Sequence, residues 1–359
     1  MPASLPTVKR IIVALIAIGS LVLAAACGSS ATSSSGLPGP ASTLRLGYFA
    51  NVTHAAAIIG VNRGLFAKEL GSTKLETQIF DAGPAAVEAL FGGSLDAAYL
   101  GPNPAINAFA KSDGKAVRII AGATSGGAQL VVRPGINTAA DLRGKTVASP
   151  ELGNTQDVAL RAWLSSQGLR NSVRGGGDVT VAPTKNADTL PLFRSGNLAG
   201  AWVPEPWASR LVLEAGGKVL VDERDLWPGG QFVTTHLIVR TDFLEQHPQT
   251  VEALLRGHVD AVQWVTQNSA EAKTVVNAGI NTLTSKPLPP AVADRAWQNL
   301  TVTDDPIATS LQRSAANAVT AGVATKQVDL HGIYELSILN RLLNQRGLPA
   351  VSASGLGKD

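Results

Sequence analysis

Cysteine is almost missing: Cys27 is the only one in 359 residues, which excludes a disulfide framework and a thiolate metal cluster. Charge is sparse as well. Charged residues are 16% of the chain, and 30 Lys plus Arg stand against 27 Asp plus Glu. The basic residues are scattered and form no stripe, so nucleic acid is not an expected partner. Aromatic residues reach only 5%, yet a hydrophobic fraction of 45% rules out a wholly disordered chain. The five histidines show no HExxH spacing and no pairing with cysteine, and no G-x-S-x-G elbow occurs. Gly175-Gly176-Gly177 precedes a strand pattern where a dinucleotide or phosphate turn would follow one. No cofactor and no metal are therefore expected. No 20–50-residue period repeats, so a solenoid is excluded, and the length fits about two domains.

What is present begins with an address. Lys9 and Arg10 precede an uncharged apolar run, Ile11–Ala26, of 16 residues. That is short of the roughly 18 expected of a membrane-spanning helix. A basic start, an apolar middle and small residues at its end read as a secretory signal over residues 1–26. Ala24, Ala25 and Ala26 lead directly into Cys27. This stretch resembles the lipobox of bacterial lipoproteins, whose cysteine is lipidated and becomes the new N-terminus. It departs from the usual pattern at Ala24, where leucine is common. The plainer alternative is an ordinary signal peptide or an uncleaved anchor that contains a cysteine. Residues 28–43 are uncharged and rich in Ser, Gly and Pro, giving, with Cys27, a flexible tether with a reach of roughly 20–25 Å. Cleavage removes two positive charges, so the formal +3 of the whole chain falls to about +1 and the basic character is partly a property of the signal.

From Leu44 onward short apolar runs alternate with helix-length segments. Strands are expected at Leu44–Tyr48, Leu75–Phe80, Ala97–Leu100, Val117–Ala123 and Gln129–Arg133, with helices between them. A second series follows, with strands at 145–149, 179–182, 200–203 and 219–221. Alternation of this kind means mostly parallel sheets covered by helices on both faces. After the long strand Phe232–Arg240 the pattern is almost purely helical, and these helices are expected to return to the first lobe. The expected organisation is therefore α/β and bilobal: lobe 1 over 44–132 and 236–346, lobe 2 over 133–235, and a tail over 347–359. Two hinge strands near 130–133 and 234–240 would join the lobes.

Open α/β sheets bind ligands beyond the carboxyl ends of their strands, so the strand-to-helix turns are the places to search. Three are unusual: Asn51-Val52-Thr53-His54, Gly101-Pro102-Asn103-Pro104, and Gly153-Asn154-Thr155-Gln156. Each places small or amide side chains before a helix, whose first N–H groups lack partners and attract anions. Helix capping alone explains any one of them; three together favour a shared cleft. Ser125, in Thr124-Ser125-Gly126-Gly127, either lines that cleft or belongs to a hinge. In Trp202-Val203-Pro204-Glu205-Pro206-Trp207 both tryptophans either wall a pocket, with Glu205 contacting a donor on the ligand, or belong to the core, with Glu205 an acid at a helix N-terminus; the balance favours the pocket for Trp202 and the core for Trp207. Thr234 and Thr235, on the long strand, could donate hydroxyls or could serve only as good strand formers.

The stretches LRLGYFAN, AGPAAVEALFGGSLDAAYLGPNPAINAFAK and DLRGKTVASPELGNTQDVALRAWL resemble the solute-binding proteins of ABC importers for sulfonates, nitrate and taurine. The resemblance covers about residues 44–345. It implies a periplasmic-binding-protein-like fold of type II that closes on its solute and delivers it to a permease with its ATPase. It further implies a cleft using Asn51, Thr53, His54, Gly101, Pro102, Asn103, Asn154 and Thr155, with Trp202 and Glu205 from the second lobe. Glu205-Pro206-Trp207 looks closer to nitrate- and bicarbonate-type members than to the sulfonate branch. The expectation is a monomeric, lipid-anchored, extracytoplasmic binder of a small oxyanion, an aliphatic sulfonate or taurine first, without catalysis. Nitrate, bicarbonate or a thiamine-pyrimidine precursor are the alternatives. A pyrimidine-synthesising enzyme on the same fold is disfavoured, because that branch relies on a cysteine-rich segment and Cys27 stands alone.

Overall fold

The computed structural model describes residues 39–359. The expected signal, Cys27 and most of the tether lie outside the described residues. Thirteen strands occur in the described part: β1 Thr43–Tyr48, β2 Lys74–Ile79, β3 Ala97–Leu100, β4 Val117–Gly126, β5 Ala128–Val132, β6 Thr146–Ser149, β7 Thr180–Pro183, β8 Gly200–Pro204, β9 Lys218–Asp222, β10 Val233–Arg240, β11 Leu300–Val302, β12 Tyr334–Glu335 and β13 Gly357–Lys358. They form two sheets. The first runs β13-β12-β4-β10-β3-β1-β2 with β11 beside β4; the second runs β7-β6-β8-β5-β9.

The two sheets share one plan. In each, three parallel strands lie in the order second, first, third: β2-β1-β3 and β7-β6-β8. Next comes an antiparallel strand that arrives from the other sheet, β10 in the first and β5 in the second. The fourth strand, β4 or β9, comes next; it is the edge of the second sheet, whereas in the first sheet β12 and β13 continue beyond it. Parallel strands require helical crossovers, which bury both sheet faces. The second sheet shows this residue by residue. Leu130, Val147 and Trp202 enter one core, while Val131, Ala148, Ala201 and Val203 enter the core on the opposite face. The helices after β10, chiefly Pro248–Gln267, Ala308–Thr320 and Ser337–Gln345, return their apolar faces to the first core.

Three details differ from the sequence expectation. The first passage between the sheets is Gly126-Gly127, not 130–133, because the whole of β5 pairs inside the second sheet. Both glycines hold left-handed φ angles of 76° and 78°, and a Cβ on Gly126 would stand 2.8 Å from the carbonyl oxygen of Asn299. Only glycine fits that passage. The return passage is 223–232, because β10 joins the first sheet from Val233. Finally, 347–359 is no loose tail: β13 pairs parallel with β12, and Ala353 and Leu356 are buried in the first core.

Candidate functional site

In each sheet the strand order reverses between the first strand and the third, and the crevice beyond such a reversal is where open α/β folds hold ligands. Here the two crevices face each other. Beyond β1 lies the short helix Val52–His54 with Asn51 before it; beyond β3, Gly101 leads into the helix Pro102–Lys111. From the second lobe come the helix Thr155–Ser166, the helix Asn186–Arg194 after β7, and Pro204 at the end of β8. Phe49, Asn51, Thr53, His54, Asp81 and Gly101 from the first lobe, with Thr234 and Thr235, line one cavity together with Asn154, Thr155, Gln156, Asn186 and Pro204 from the second.

The lobes are shut on one another. A Cβ added to Gly101 would stand 2.1 Å from Thr155 Oγ1 and 3.2 Å from its Cβ. A Cβ on Gly83 would lie 3.3 Å from Asn154 Oδ1. Trp207 Nε1 donates to Asn51 Oδ1 at 2.9 Å. At the rim, Lys185 and Asp81 form an exposed ion pair at 3.1 Å across the gap. The enclosed volume is about 20 Å³, room for one or two water-sized groups.

Neutral groups dominate the lining. No side chain caps the helix starts at Asn51, Gly101, Asn154 or Lys185, so their first N–H groups keep no intrahelical partner. Pro102 and Pro104 carry no N–H, which leaves Asn103 as the donor of that first turn. The Thr155 hydroxyl is buried and has no hydrogen-bond partner among the described residues. Asn51 spends its oxygen on Trp207 and keeps its amide N–H groups. The Thr234 hydroxyl donates to the Gly126 carbonyl and keeps its lone pairs. His54 stacks on Phe49 at 4.3 Å and accepts the Phe49 N–H at Nδ1, 3.3 Å away. Burial holds its pKa down at about 3, so the ring is neutral with its proton on Nε2. Among the lining residues there is no Lys or Arg, and among the described residues no group of three His, Cys, Asp or Glu could hold a metal.

Of the residues expected in the cleft, Asn51, Thr53, His54, Gly101, Asn154, Thr155 and Thr234 meet around this one cavity. Five others do not line it. Pro102 begins its helix behind Gly101, and the Asn103 side chain turns away to the Ser314 carbonyl at 3.0 Å. Ser125 lines a separate cavity with Arg224 and Asn299. Trp202 belongs to the core: it is fully buried, meets Trp163 edge-on and donates to Glu223 at 2.8 Å. Glu205 is buried against Ser209, Arg295 and Asn299. Trp207, read as core, packs half-buried against the second lobe's core and in addition reaches the first lobe's Asn51. Sequence reasoning missed Phe49, Asp81, Asn186 and Pro204. The strand-end rule applied to β2 and β7 would have found Asp81 and Asn186.

The fold is that of periplasmic-binding-protein-like structures. The model of the NMT1-like family matches residues 38–279, and the chain belongs to that family. It is 31% identical over 199 residues to the taurine-binding periplasmic protein of Escherichia coli K12, covering 55% of this chain and 59% of that one. The chain thus matches about three fifths of that relative's length. Among solved structures it resembles the alkanesulfonate-binding protein of Xanthomonas axonopodis pv. citri bound to MOPS, at 22% identity and a TM-score of 0.66 over 80% of this chain and 96% of that one. It also resembles the periplasmic nitrate-binding protein of Synechocystis PCC 6803, at 19% identity and a TM-score of 0.69 over 86% and 90%.

Proposed function

We propose that this chain is the extracytoplasmic, monomeric solute-binding component of an ABC importer, lipid-anchored at Cys27, and that it carries a small oxyanion to a permease with its ATPase. One observation carries the reading: uncapped helix starts and neutral donors from both lobes converge on a single buried cavity that holds no lysine or arginine. Such donors replace the hydration shell of an anion without the cost of burying a counter-charge. A solute touching both lobes gains contacts only when they meet, so it shifts the population toward the closed form. No turnover is part of the proposal. His54, the one imidazole in the lining, is held by Phe49 as an uncharged donor.

An aliphatic sulfonate, taurine first, is the preferred solute, supported by the family and by the relatives' binding. Asp81 at the rim, which holds the Lys185 ammonium at 3.1 Å, would exchange it for the ammonium of taurine while the helix starts take the sulfonate. The small enclosed volume, about 20 Å³, favours nitrate or bicarbonate as the second reading. Calorimetric titration with taurine, alkanesulfonates, nitrate, bicarbonate and aminopyrimidines tests both; saturable binding of no oxyanion overturns them. Cys27→Ser should abolish detergent-phase partitioning of the expressed protein; retained partitioning overturns the lipid anchor.

A further inference from the structure

Asp157 is an unexpected residue beside a site for anions. It is the third residue of the helix Thr155–Ser166, whose start faces the cavity with Asn154, Thr155 and Gln156. A carboxylate in the first turn stabilises the helix, but it opposes any anion brought to the same N–H groups. Asp157 is fully buried, and three neighbours take up its lone pairs. Ser149 Oγ, at the end of β6, donates to Oδ1 at 2.7 Å, and the Gly153 N–H donates to Oδ2 at 3.0 Å. These two bonds tie the turn after β6 to the helix and so set where Asn154 and Thr155 stand. The third neighbour is Arg161, one turn along the same helix, whose Nε lies 3.0 Å from both carboxylate oxygens. Arg161 is the one buried lysine or arginine among the described residues. Its Nη1 donates to the Ser172 carbonyl at 2.9 Å, so the planar guanidinium is held at two ends.

We infer that Asp157 and Arg161 are a positioning pair for the bound anion: Asp157 shapes the turn that carries Asn154 and Thr155, and Arg161 cancels the charge that this shaping sets beside the site. Neither residue lines the cavity. The cation that the lining lacks thus stands behind the helix start, spent on Asp157 and not on the solute. Opposite charges in contact leave little net field at the helix start, whereas either one alone, in a buried region about one turn away, acts strongly on an anion there. The inference rests on the oxyanion-binding reading above and adds to it the residues that keep the second lobe's helix start open to negative charge.

The test is calorimetry on the intact chain in detergent, with taurine, 1-propanesulfonate, nitrate and bicarbonate as probes and a thermal melt beside each titration. Arg161→Met leaves the carboxylate without its counter-charge, and affinity for whichever probe the wild type binds should fall roughly 10-fold or more. Asp157→Asn keeps an acceptor for the turn but leaves the guanidinium alone. Its melting temperature should fall while its affinity rises about 3-fold or more. A pair that served folding only would weaken binding in both variants. Asp157→Asn combined with Arg161→Met removes both charges and should return to within about 3-fold of wild type. Arg161→Lys, which keeps the charge without the fork, should do the same, and it decides the matter if the single neutral variants do not fold. A loss of affinity in Asp157→Asn or in Arg161→Lys as large as that expected of Arg161→Met, or a double variant that binds no better than Arg161→Met, overturns the inference and leaves the oxyanion reading intact. Absence of binding of all four probes to the wild type overturns the oxyanion reading and this inference with it.

Discussion

The indole N–H of Trp207 donates to the side-chain oxygen of Asn51 at 2.9 Å, and this single bond spans the two lobes beside the cavity. It fixes the Asn51 amide so that its N–H groups stay available, and it exists only when the lobes are together. Trp207→Phe keeps the ring and removes the donor. A neutral hydrogen bond contributes about 0.5–1.5 kcal/mol, so affinity for the solute found by titration should fall roughly 2–10-fold. The melting temperature of the solute-free protein should hardly move. Calorimetry and a thermal melt check this; unchanged affinity would mean that the bond plays no part in closure.

Gly101 is needed for how closely the lobes meet, not for its own backbone. Its φ of −75° and ψ of 165° suit any residue, yet a Cβ would meet Thr155 Oγ1 at 2.1 Å. The obstacle includes the Thr155 Cβ, which is fixed to its helix and cannot swing aside. Gly101→Ala should therefore fold normally and fail to close, with affinity reduced at least 10-fold and a radius of gyration that no longer shrinks on adding solute. Small-angle scattering with and without solute decides it. Gly101→Ala combined with Thr155→Ala should recover part of the closure.

The architecture was legible because parallel sheets covered on both faces write continuous apolar strands between amphipathic helices. The turns after β1, β3 and β6 were legible for a related reason: small and amide residues before a helix start announce exposed N–H groups. Trp202 was read as a pocket wall and is core; Trp207, read as core, does pack against the second lobe's core but also bonds to Asn51 of the other lobe. A tryptophan at a strand end is assigned to one face by alternation, and only the second core, with Trp163 in it, shows which face is solid. Glu205 looked like a ligand contact because its partners Arg295 and Asn299 lie 90 and 94 residues away in sequence. The passage at Gly126-Gly127 was displaced because β5 continues the apolar pattern of β4 across two glycines, and pairing, not pattern, decides sheet membership.

His54 predicts a particular response to acid. Its folded pKa lies near 3 because burial disfavours the charged ring, against about 6.5 in an unfolded chain. Below pH 6.5 the unfolded state binds the extra proton. The stabilising contribution is thus complete above 6.5 and is lost as pH falls toward 3. Relative to wild type, His54→Asn should gain about 1.4 kcal/mol per pH unit below pH 6. Urea unfolding of both proteins at pH 6.5, 5.5 and 4.5 measures the difference. A pH-independent gap would show that His54 takes up its proton in the fold as readily as in the unfolded chain.

A further interlobe contact, besides Trp207–Asn51 and Lys185–Asp81, is ionic and lies away from the cavity. Glu205, fully buried, accepts from Asn299 at 2.6 Å, from Arg295 at 3.2 Å, and from the N–H and hydroxyl of Ser209 at 3.0 Å each. Burial raises its pKa, and the hydrogen bonds from Asn299 and Ser209, with the Arg295 charge, pull the other way. Arg295 also reaches Gln129 on β5 at 2.8 Å, so one guanidinium from the helix Pro290–Gln298 ties β5 to the residue that follows β8. Removing one partner of a buried pair strands the other charge, at a cost of about 3–5 kcal/mol; because Arg295 is about one-fifth exposed, the lower end applies. Arg295→Met should therefore destabilise by roughly 3 kcal/mol, and Glu205→Gln in the same chain should restore most of that loss. A double-mutant cycle by chemical denaturation reads the coupling directly. If the two substitutions simply add, the pair is not coupled, and Gln129, Ser209 and Asn299 hold this side of the hinge without it.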